Sequence, residues 1–290
     1  LPVLAEQVLN TLVGLVDTYL AGRISPAATS AVGLAAYVAW LASMLVMLIG
    51  TGTTALVSRY EGAGDHERAN HFANQSLTLA GVLGLGLFIT MYALAPGFAR
   101  YCRMTGDAYA ITVTYLRVEA VGHLFMSLMI VGCAALRGVG NMRTPMVLYA
   151  LINVVNAVMS WSLVYGLGPF PALGVTGIVA GTVIAQVSGA ILTFLVLWHG
   201  GAGLRLVRRD LPVVWASAWR ILRIGIPAAA DGAVMWSGQF IFLAIISRLA
   251  DPPLGEIYFA THIIAMRVEA FVYLPAMAWS AATATMIGQS

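Results

Sequence analysis

Long apolar stretches dominate the chain, and short polar connections separate them at regular intervals. Each stretch can cross a bilayer as a helix, because a helix rises about 1.5 Å per residue and the hydrocarbon core is about 30 Å thick. The alternating ten-residue segments that mark membrane β-strands do not recur. The pattern therefore predicts an all-α polytopic membrane protein whose eight spans lie near residues 2–21, 29–57, 72–97, 108–136, 144–166, 172–198, 223–248 and 256–289.

The first predicted span carries a polar stripe. Glu6 and Asp17 are eleven residues apart, so at about 100° per residue they return to nearly the same face, with Asn10 between them. A carboxylate at the bilayer centre costs at least ~2.5–3.5 kcal/mol on insertion scales, so such residues usually face a wet cavity and have a function there. The alternative is that Asp17 is an interfacial residue near the helix end, close to Arg23.

Composition supports the membrane assignment and excludes other classes. The chain is 60% hydrophobic and 9% charged, whereas soluble domains carry about 25% charged residues. Its net charge of +3 is too small to indicate a nucleic-acid partner. We expect Cys102 and Cys133 to be unpaired thiols, without a disulfide framework or a metal site.

The distribution of arginines predicts the topology, because cytoplasmic loops carry an excess of basic residues. One side holds Arg59, Arg68, Arg137, Arg143, Arg205, Arg208, Arg209, Arg220 and Arg223. The other side holds Arg23, Arg100, Arg103 and Arg248. This asymmetry predicts a cytoplasmic N-terminus. We expect a multi-pass protein of the inner (plasma) membrane.

An internal repeat divides the chain. Three residues of the first span recur 225 positions later in the seventh: Pro2, Glu6 and Arg23 become Pro227, Asp231 and Arg248. With a five-residue insertion in the following loop, residues 53–59 face residues 283–289. Both copies start on the same side, which predicts a parallel repeat of six-helix units. Chance alignment of two hydrophobic hairpins is the alternative.

The repeat predicts a domain organisation. We expect an N-terminal six-helix lobe at 1–200, a cytoplasmic basic linker at 201–222, and the first two helices of a C-terminal lobe at 223–290. The intact protein should then have two six-helix bundles, twelve helices in all.

Polar residues in the fifth and sixth spans are candidates for a site. One face of the fifth span carries Asn153, Asn156 and Ser160, and the sixth carries Thr182 and Gln186 one turn apart. With Asp17 they would form an oxygen-rich site near the midplane, suited to a proton or a hard cation such as Na⁺. The alternative is that these groups form hydrogen bonds that hold helices together.

Two further polar groups lie in the fourth and eighth spans. They consist of Arg117, Glu119 and His123, and of His262, Arg267 and Glu269. Proton relays and structural ion pairs are both open for them. The histidines lack metal-ligand spacing, and no nucleophile–base pair or phosphate-binding loop is present, so we expect no enzyme activity and no cofactor. Transport, if it occurs, would use an ion gradient.

Several motifs together resemble the multidrug and toxic compound extrusion (MATE) family, in particular its DinF-like branch. They are the Asp17 context Leu15–Arg23, Gly62–Asp65, the turn Arg137–Pro145, Ala260–His262 and Ile287–Gln289. The resemblance covers the whole chain. It implies two six-helix lobes around a central cavity, and cation-coupled export of amphipathic, often cationic compounds.

The resemblance also implies roles for individual residues. Asp17 matches the family's coupling aspartate, and Pro2 matches a proline about which the first helix bends. Asn156 and Thr182 match an asparagine and a threonine of the ion site in the N-terminal lobe. Ser160 stands where many members of the branch have an aspartate, which weakens a sodium assignment and favours protons. Na⁺ at Asp17, Asn156 and Thr182 remains the second option.

The sequence thus predicts an antiporter in which Asp17 binds the coupling cation and the substrate in exclusive states. Residues expected at the substrate cavity or in gating are Pro2, Glu6, Asn10, Asn153, Gln186, Asp231, His262 and Glu269. We expect a monomer whose partners are small amphipathic molecules and the lipid bilayer. The alternative is a lipid or lipid-linked oligosaccharide flippase, which should line its cavity with several arginines.

Overall fold

The computed structural model describes residues 2–200, 203–246, 248–249, 251 and 254–289. Side chains are described throughout these ranges except at residues 2, 3, 7, 10, 231–233, 235, 236, 239, 240, 256, 259, 263, 267, 270, 271, 273, 274, 277, 281 and 289.

Over the described residues the chain forms α-helices joined by short connections, with one 3₁₀ turn at Arg208–Asp210. The helices are α1 Pro2–Gly22, α2 Pro26–Gly62, α3 His66–Tyr101, α4 Gly106–Gly138, α5 Arg143–Tyr165, α6 Val175–His199, α7 Trp215–Ile246 and α8 Leu254–Gln289. The predicted all-α fold is confirmed.

Several helices extend well past the predicted spans. α2 has 37 residues and is therefore about 55 Å long, which exceeds the thickness of a hydrocarbon core. α7 begins at Trp215, inside the stretch 201–222 that was expected to be linker. The extra turns are helical because Ala218 and Ile221 are fully buried and give this polar-looking stretch an apolar face.

Five helices, α2 to α6, are long and apolar enough to cross a membrane, judged by length and composition over the described residues. Their most apolar windows have mean hydropathies between 1.7 and 2.2. α1, α7 and α8 have 21, 32 and 36 residues but include side chains outside the described set. A multi-pass membrane protein is the architecture that these helices define.

α4 lies at the centre of the packing and contacts α2, α3 and α6. α1 packs against α5, and α7 and α8 both pack against α2. The α2–α7 crossing depends on glycines, because a Cβ at Gly52 would lie 2.9 Å from the carbonyl carbon of Ile221, and one at Gly225 would lie 2.6 Å from that of Leu48. The second predicted lobe therefore begins directly against the first.

Local chemistry explains how the connections begin and end helices. Ser25 accepts a hydrogen bond from the Ala28 backbone N–H at the start of α2. In the turn between α4 and α5, Gly140 has φ +81°, a left-handed conformation that favours glycine. The Asn141 Oδ1 atom then accepts from the Thr144 backbone N–H at 3.1 Å. These residues account for the Arg-Gly-x-Gly-Asn pattern of that turn.

Candidate coupling site between α1, α5 and α6

A buried polar cluster forms where α1, α5 and α6 meet. Asp17 from α1 is 6% exposed, and Asn156 from α5 is fully buried beside it. The Thr182 hydroxyl of α6 donates to Asp17 Oδ2 at 2.8 Å, and Asn156 Nδ2 lies 3.4 Å from Asp17 Oδ1. Asn156 Nδ2 also donates to Thr182 Oγ1 at 3.0 Å. The structure thus brings together side chains that are more than a hundred residues apart in sequence.

Small residues on α6 permit this cluster. A Cβ at Gly177 would lie 2.6 Å from the Leu163 carbonyl, and one at Gly181 would lie 2.5 Å from the Ser160 backbone nitrogen. The pair forms a GxxxG spacing, which lets two membrane helices approach closely. The α5 and α6 backbones therefore approach each other closely at the level of Ser160 and hold Asn156 beside Thr182.

Ser160 belongs to the same cluster, but its hydroxyl donates a hydrogen bond to a backbone carbonyl. Its Oγ donates to the Ile178 carbonyl at 3.2 Å, and Asn156 Nδ2 lies 3.4 Å from that Oγ. The residue therefore supplies a neutral oxygen at a position where the resemblance leads one to expect a carboxylate. Asp17 is consequently the acid that this cluster contains.

The cluster presents oxygens that a cation would accept. Asn156 Oδ1 is buried and has no hydrogen-bond partner among the described groups, so an acceptor oxygen is available there. A carboxylate, an amide oxygen and hydroxyls suit a proton at Asp17 or a hard cation such as Na⁺. A search of the described residues finds no group of three or more His, Cys, Asp or Glu that could hold a metal ion.

Asn153 and Gln186 do not join the cluster. Asn153 Nδ2 donates to the Leu9 carbonyl of α1 at 2.7 Å and to the Tyr149 carbonyl at 2.8 Å. Gln186 lies against Gly122 of α4, and its Oε1 is buried without a hydrogen-bond partner in the described structure. Asn153 thus fastens α5 to α1, and Gln186 lies at the α4–α6 contact rather than beside Asp17.

Glu6 forms an ion pair at the other end of α1. Arg137 Nη1, in the last turn of α4, donates to Glu6 Oε1 at 2.5 Å, and both side chains are largely buried. The sequence had indicated Arg137 only as a loop arginine that sets topology. Of the remaining candidates on the repeated helices, the side chains of Pro2, Asn10 and Asp231 lie outside the described residues.

The remaining polar candidates lie on α8 and α4. His262 Nε2 is 3.2 Å from the Tyr37 hydroxyl, and its ring meets the Phe242 ring edge to face. The Glu269 side chain is exposed. On α4, Glu119 and His123 are both buried.

The chain resembles known proteins in sequence. The MatE family model matches residues 2–162, which is more than half of the chain. "Probable multidrug resistance protein NorM" of Thermotoga maritima is 31% identical over 294 residues, covering 100% of this chain and 61% of that protein. "Multidrug resistance protein MdtK" of Cronobacter sakazakii is 26% identical over 301 residues, with coverages of 99% and 62%.

Solved structures give the same result. One, described as the outward-facing conformation of a multidrug resistance MATE family transporter of the MOP superfamily, has a TM-score of 0.85 and 27% identity over 99% of this chain and 62% of its own. The corresponding inward-facing structure has a TM-score of 0.83 and 27% identity over 94% and 60%.

The fold defines a class, that of the polytopic α-helical membrane proteins. Within it, the chain belongs to the MatE family. The predicted MATE membership is thereby confirmed, while the DinF-like branch stays a prediction. The chain spans about three fifths of the length of the curated relatives it matches.

Proposed function

We propose that the protein is a cation-coupled antiporter that exports amphipathic, often cationic compounds, with Asp17 as its coupling carboxylate. The names of the relatives, multidrug resistance proteins, support export of this kind. The observation that carries the proposal is the buried cluster in which Thr182 and Asn156 hold the Asp17 carboxylate. A buried carboxylate inside a membrane protein is costly and usually functional.

The mechanism follows from where the groups are attached. Asp17 is on α1, whereas its donors are on α5 and α6. A proton or cation that binds Asp17 replaces the attraction that holds α1 to these donors, so α1 can shift relative to them. A cationic substrate needs the same carboxylate in its charged form. Coupling cation and substrate therefore exclude each other at Asp17.

Other contacts confine that shift to part of α1. The Glu6–Arg137 ion pair and the Asn153 hydrogen bond to the Leu9 carbonyl fasten the first half of the helix. When the Asp17 end of α1 moves, the helix would rotate or bend about this fastened segment. The segment lies near Pro2, which matches the family's proline. We assign Glu6 a role in this gating, and the same role to its repeat mate Asp231.

The coupling ion we favour is H⁺. With Ser160 neutral and donating to the Ile178 carbonyl, one carboxylate serves the cluster, which is sufficient for a proton. Na⁺ bound by Asp17, Asn156 and Thr182 is the second option, for which the amide oxygen of Asn156 would supply a ligand.

Location and orientation are part of the proposal. The arginine asymmetry supports a multi-pass protein of the inner membrane with a cytoplasmic N-terminus. We propose a monomer that meets its small-molecule substrates in the cavity between lobes and uses no resident cofactor. His262 and Glu269, on α8, would belong to the far wall of that cavity.

The flippase alternative receives little support. Arg117 is exposed, and its guanidinium lies over the Tyr92 ring 5.1 Å from the centroid, so it does not line an interior cavity. Arg137, in the last turn of α4, is largely buried but is paired with Glu6, and Arg267 lies outside the described side chains. Several inward arginines would be needed to bind a pyrophosphate.

Transport in proteoliposomes tests the proposal, with proton and sodium gradients imposed separately. We expect Asp17→Asn to abolish gradient-driven export of a cationic dye, and Thr182→Val to reduce it by removing the donor to Asp17. Ser188→Ala is the matched control, because the Ser188 hydroxyl donates only to the Ile184 carbonyl of its own helix. Undiminished export by Asp17→Asn under both gradients contradicts the proposal.

A further inference from the structure

The connection between α6 and α7 is not a free aqueous loop, because polar side chains of α3 bind its backbone. Asn70 Oδ1 accepts from the Arg205 N–H at 2.7 Å. Asn74 accepts from the Val207 N–H at 3.0 Å and donates to the Arg205 carbonyl at 3.0 Å. One face of α3 thus fixes the first half of the connection.

The second half is held in the same way. Gln75, which is fully buried, donates to the carbonyls of Asp210 and Pro212 at 2.6 and 2.8 Å and accepts from the Val214 N–H at 2.8 Å. The Thr78 hydroxyl donates to the Leu211 carbonyl at 2.8 Å. Pro212 has no N–H to satisfy.

These contacts show that the connection runs along α3 toward its apolar part and then turns back. From its contact with Asn70 to its contact with Thr78, the connection advances about 12 Å along the α3 axis, because a helix rises about 1.5 Å per residue. Thr78 lies in the second turn of the predicted third span, which begins at residue 72. The chain then runs back toward the start of α3, because Ser217 Oγ lies 3.0 Å from His71 Nε2. Its lowest part, residues 211–214, therefore lies at the level of the bilayer boundary.

The side chains of this lowest part are apolar and exposed. Val213 and Val214 are each 46% exposed, and Trp215, which follows, is 70% exposed. Non-helical backbone can approach lipid only when its polar groups are satisfied, and α3 satisfies several of them here. Tryptophan is enriched at membrane–water interfaces. Both features indicate that the lowest part faces lipid rather than water.

Arginines surround the lowest part. Exposed arginines flank it on both sides, at Arg205, Arg208, Arg209 and Arg223, whereas the Arg220 guanidinium donates to the Tyr60 hydroxyl and lies over the Phe72 ring. The nearby acids do little to neutralise them, since Asp210 faces His71 at 3.3 Å, and the 4.0 Å pair of Arg209 with Glu67 is almost fully exposed. Anionic lipid headgroups complement such a charge distribution.

We propose that residues 205–223 form an interfacial anchor, in which residues 211–215 insert into the headgroup–acyl boundary and the flanking arginines bind the phosphate groups of anionic lipids. The anchor is assembled by α3 and belongs to the connection between the lobes. It does not depend on the identity of the coupling ion or the exported compound.

Depth measurements test the insertion. In the intact protein, with buried Cys102 and Cys133 replaced by alanine, a nitroxide is attached at Val213→Cys and the protein is placed in nanodiscs containing phosphatidylglycerol. We expect stronger collision with oxygen than with a water-soluble nickel chelate. Ala63→Cys, in the exposed turn after α2, is the control and should show the reverse. A Val213 label that behaves like the Ala63 label, or one that is shielded from both reagents as under a protein partner, overturns the proposal.

Lipid preference tests the arginines separately. Native mass spectrometry counts phosphatidylglycerol retained from mixed phosphatidylglycerol–phosphatidylcholine nanodiscs. Arg208→Gln with Arg209→Gln should weaken this retention by about fivefold for each arginine removed. Arg100→Gln, at the opposite end of α3, is the control and should leave it unchanged. Equal retention by the double variant and the control overturns the headgroup assignment.

Discussion

Groups from two other helices hold the Asp17 carboxylate. The Thr182 hydroxyl and the Asn156 amide both lie within hydrogen-bonding distance of its carboxylate oxygens, and both are attached to helices that α1 contacts. The charge state of one side chain therefore bears on how three helices sit together. Asn156 adds an amide oxygen that is buried and has no partner among the described groups. In the proposed mechanism, one proton or cation at this site changes the packing of a helix.

Cys102 offers a residue-scale test of burial that is independent of transport. It lies in the connection after α3 and is 3% exposed, and burial raises the pKa of its thiol to about 12, an effect that nearby Arg248 partly opposes. The thiolate is the reactive form. We therefore expect maleimide to modify Cys102 very slowly at neutral pH, at a rate that keeps rising through about pH 9 without levelling.

The control for this measurement is an exposed thiol. Ala63→Cys, in the turn between α2 and α3, should react fast and level off near the ordinary thiol pKa of about 8.5. Stopped-flow or mass-spectrometric labelling follows both rates. Equal rates for the two thiols would show that Cys102 is accessible and ionised in the ordinary range.

At the scale of elements, the contact between α5 and α6 positions the site. Gly181 allows the α6 backbone to lie against Ser160, and an added Cβ would lie 2.5 Å from the Ser160 nitrogen and 2.6 Å from its Cα. Neither obstacle is a flexible side-chain end, so the helices must separate to make room. The separation would move Asn156 away from Thr182.

We expect Gly181→Ala to destabilise the protein by about 1–3 kcal/mol, the usual cost of overpacking. A thermal-shift assay in detergent measures it. Gly86→Ala in α3 is the matched control, because a Cβ there meets nothing within 4 Å. Alanine in a helix is favoured over glycine, so the control should be neutral or more stable by up to about 1 kcal/mol. A Gly181→Ala protein as stable as the control would mean that α5 and α6 do not approach this closely.

The same scale shows what the sequence could predict and what it could not. Helical spacing within one span is readable, so Asn156 and Ser160 were expected on one face, and the structure brings Asn156 to Asp17 and Ser160 to Asn156. Spacing does not show how neighbouring helices are rotated. Asn153 shares that face, yet three residues along the helix it meets the Leu9 carbonyl instead. Gln186 likewise lies against Gly122.

The sequence also did not predict the partner of Glu6, or the partners of the α3 side chains that bind the connection between α6 and α7, for a related reason. Arg137 lies at a helix end and therefore has the sequence signature of a connection, although it is buried against Glu6. Asn70 precedes the predicted third span, 72–97, and Asn74 and Gln75 stand in its first turn, where polar residues are ordinary. Their spacing at i, i+4 and i+5 was the available signal. What it could not show was that the partner is a backbone segment far along the chain.

At the scale of the whole molecule, the two segments of the predicted repeat contact each other. The alignment of residues 53–59 with 283–289 makes Ser58 and Gly288 equivalent positions. In the structure they are in contact, and a Cβ at Gly288 would lie 3.0 Å from the Ser58 Cβ. Equivalent positions that touch lie near the axis relating two copies, which supports a parallel repeat arranged about α2 and α8.

A double-cysteine variant tests this contact. Disulfides form between Cβ atoms about 3.5–4.5 Å apart, so Ser58→Cys with Gly288→Cys should cross-link under mild oxidation after a small adjustment. Peptide mass spectrometry detects the bond. The control pair, Ser58→Cys with Thr283→Cys, places the second thiol at an exposed position more than one turn away and should remain reduced. Cross-linking of the control and not of the test pair would refute the equivalence.

The polar stripe on α3 has a consequence for the history of the protein. If two copies of one ancestral gene were fused, a connector was needed once, between the copies. The stripe of Asn70, Asn74 and Gln75 binds the backbone of that connector. Selection would therefore retain it in the third helix of the first copy and leave the equivalent helix of the second free to lose it. In proteins built this way, the stripe would distinguish the third helix of the first copy from that of the second.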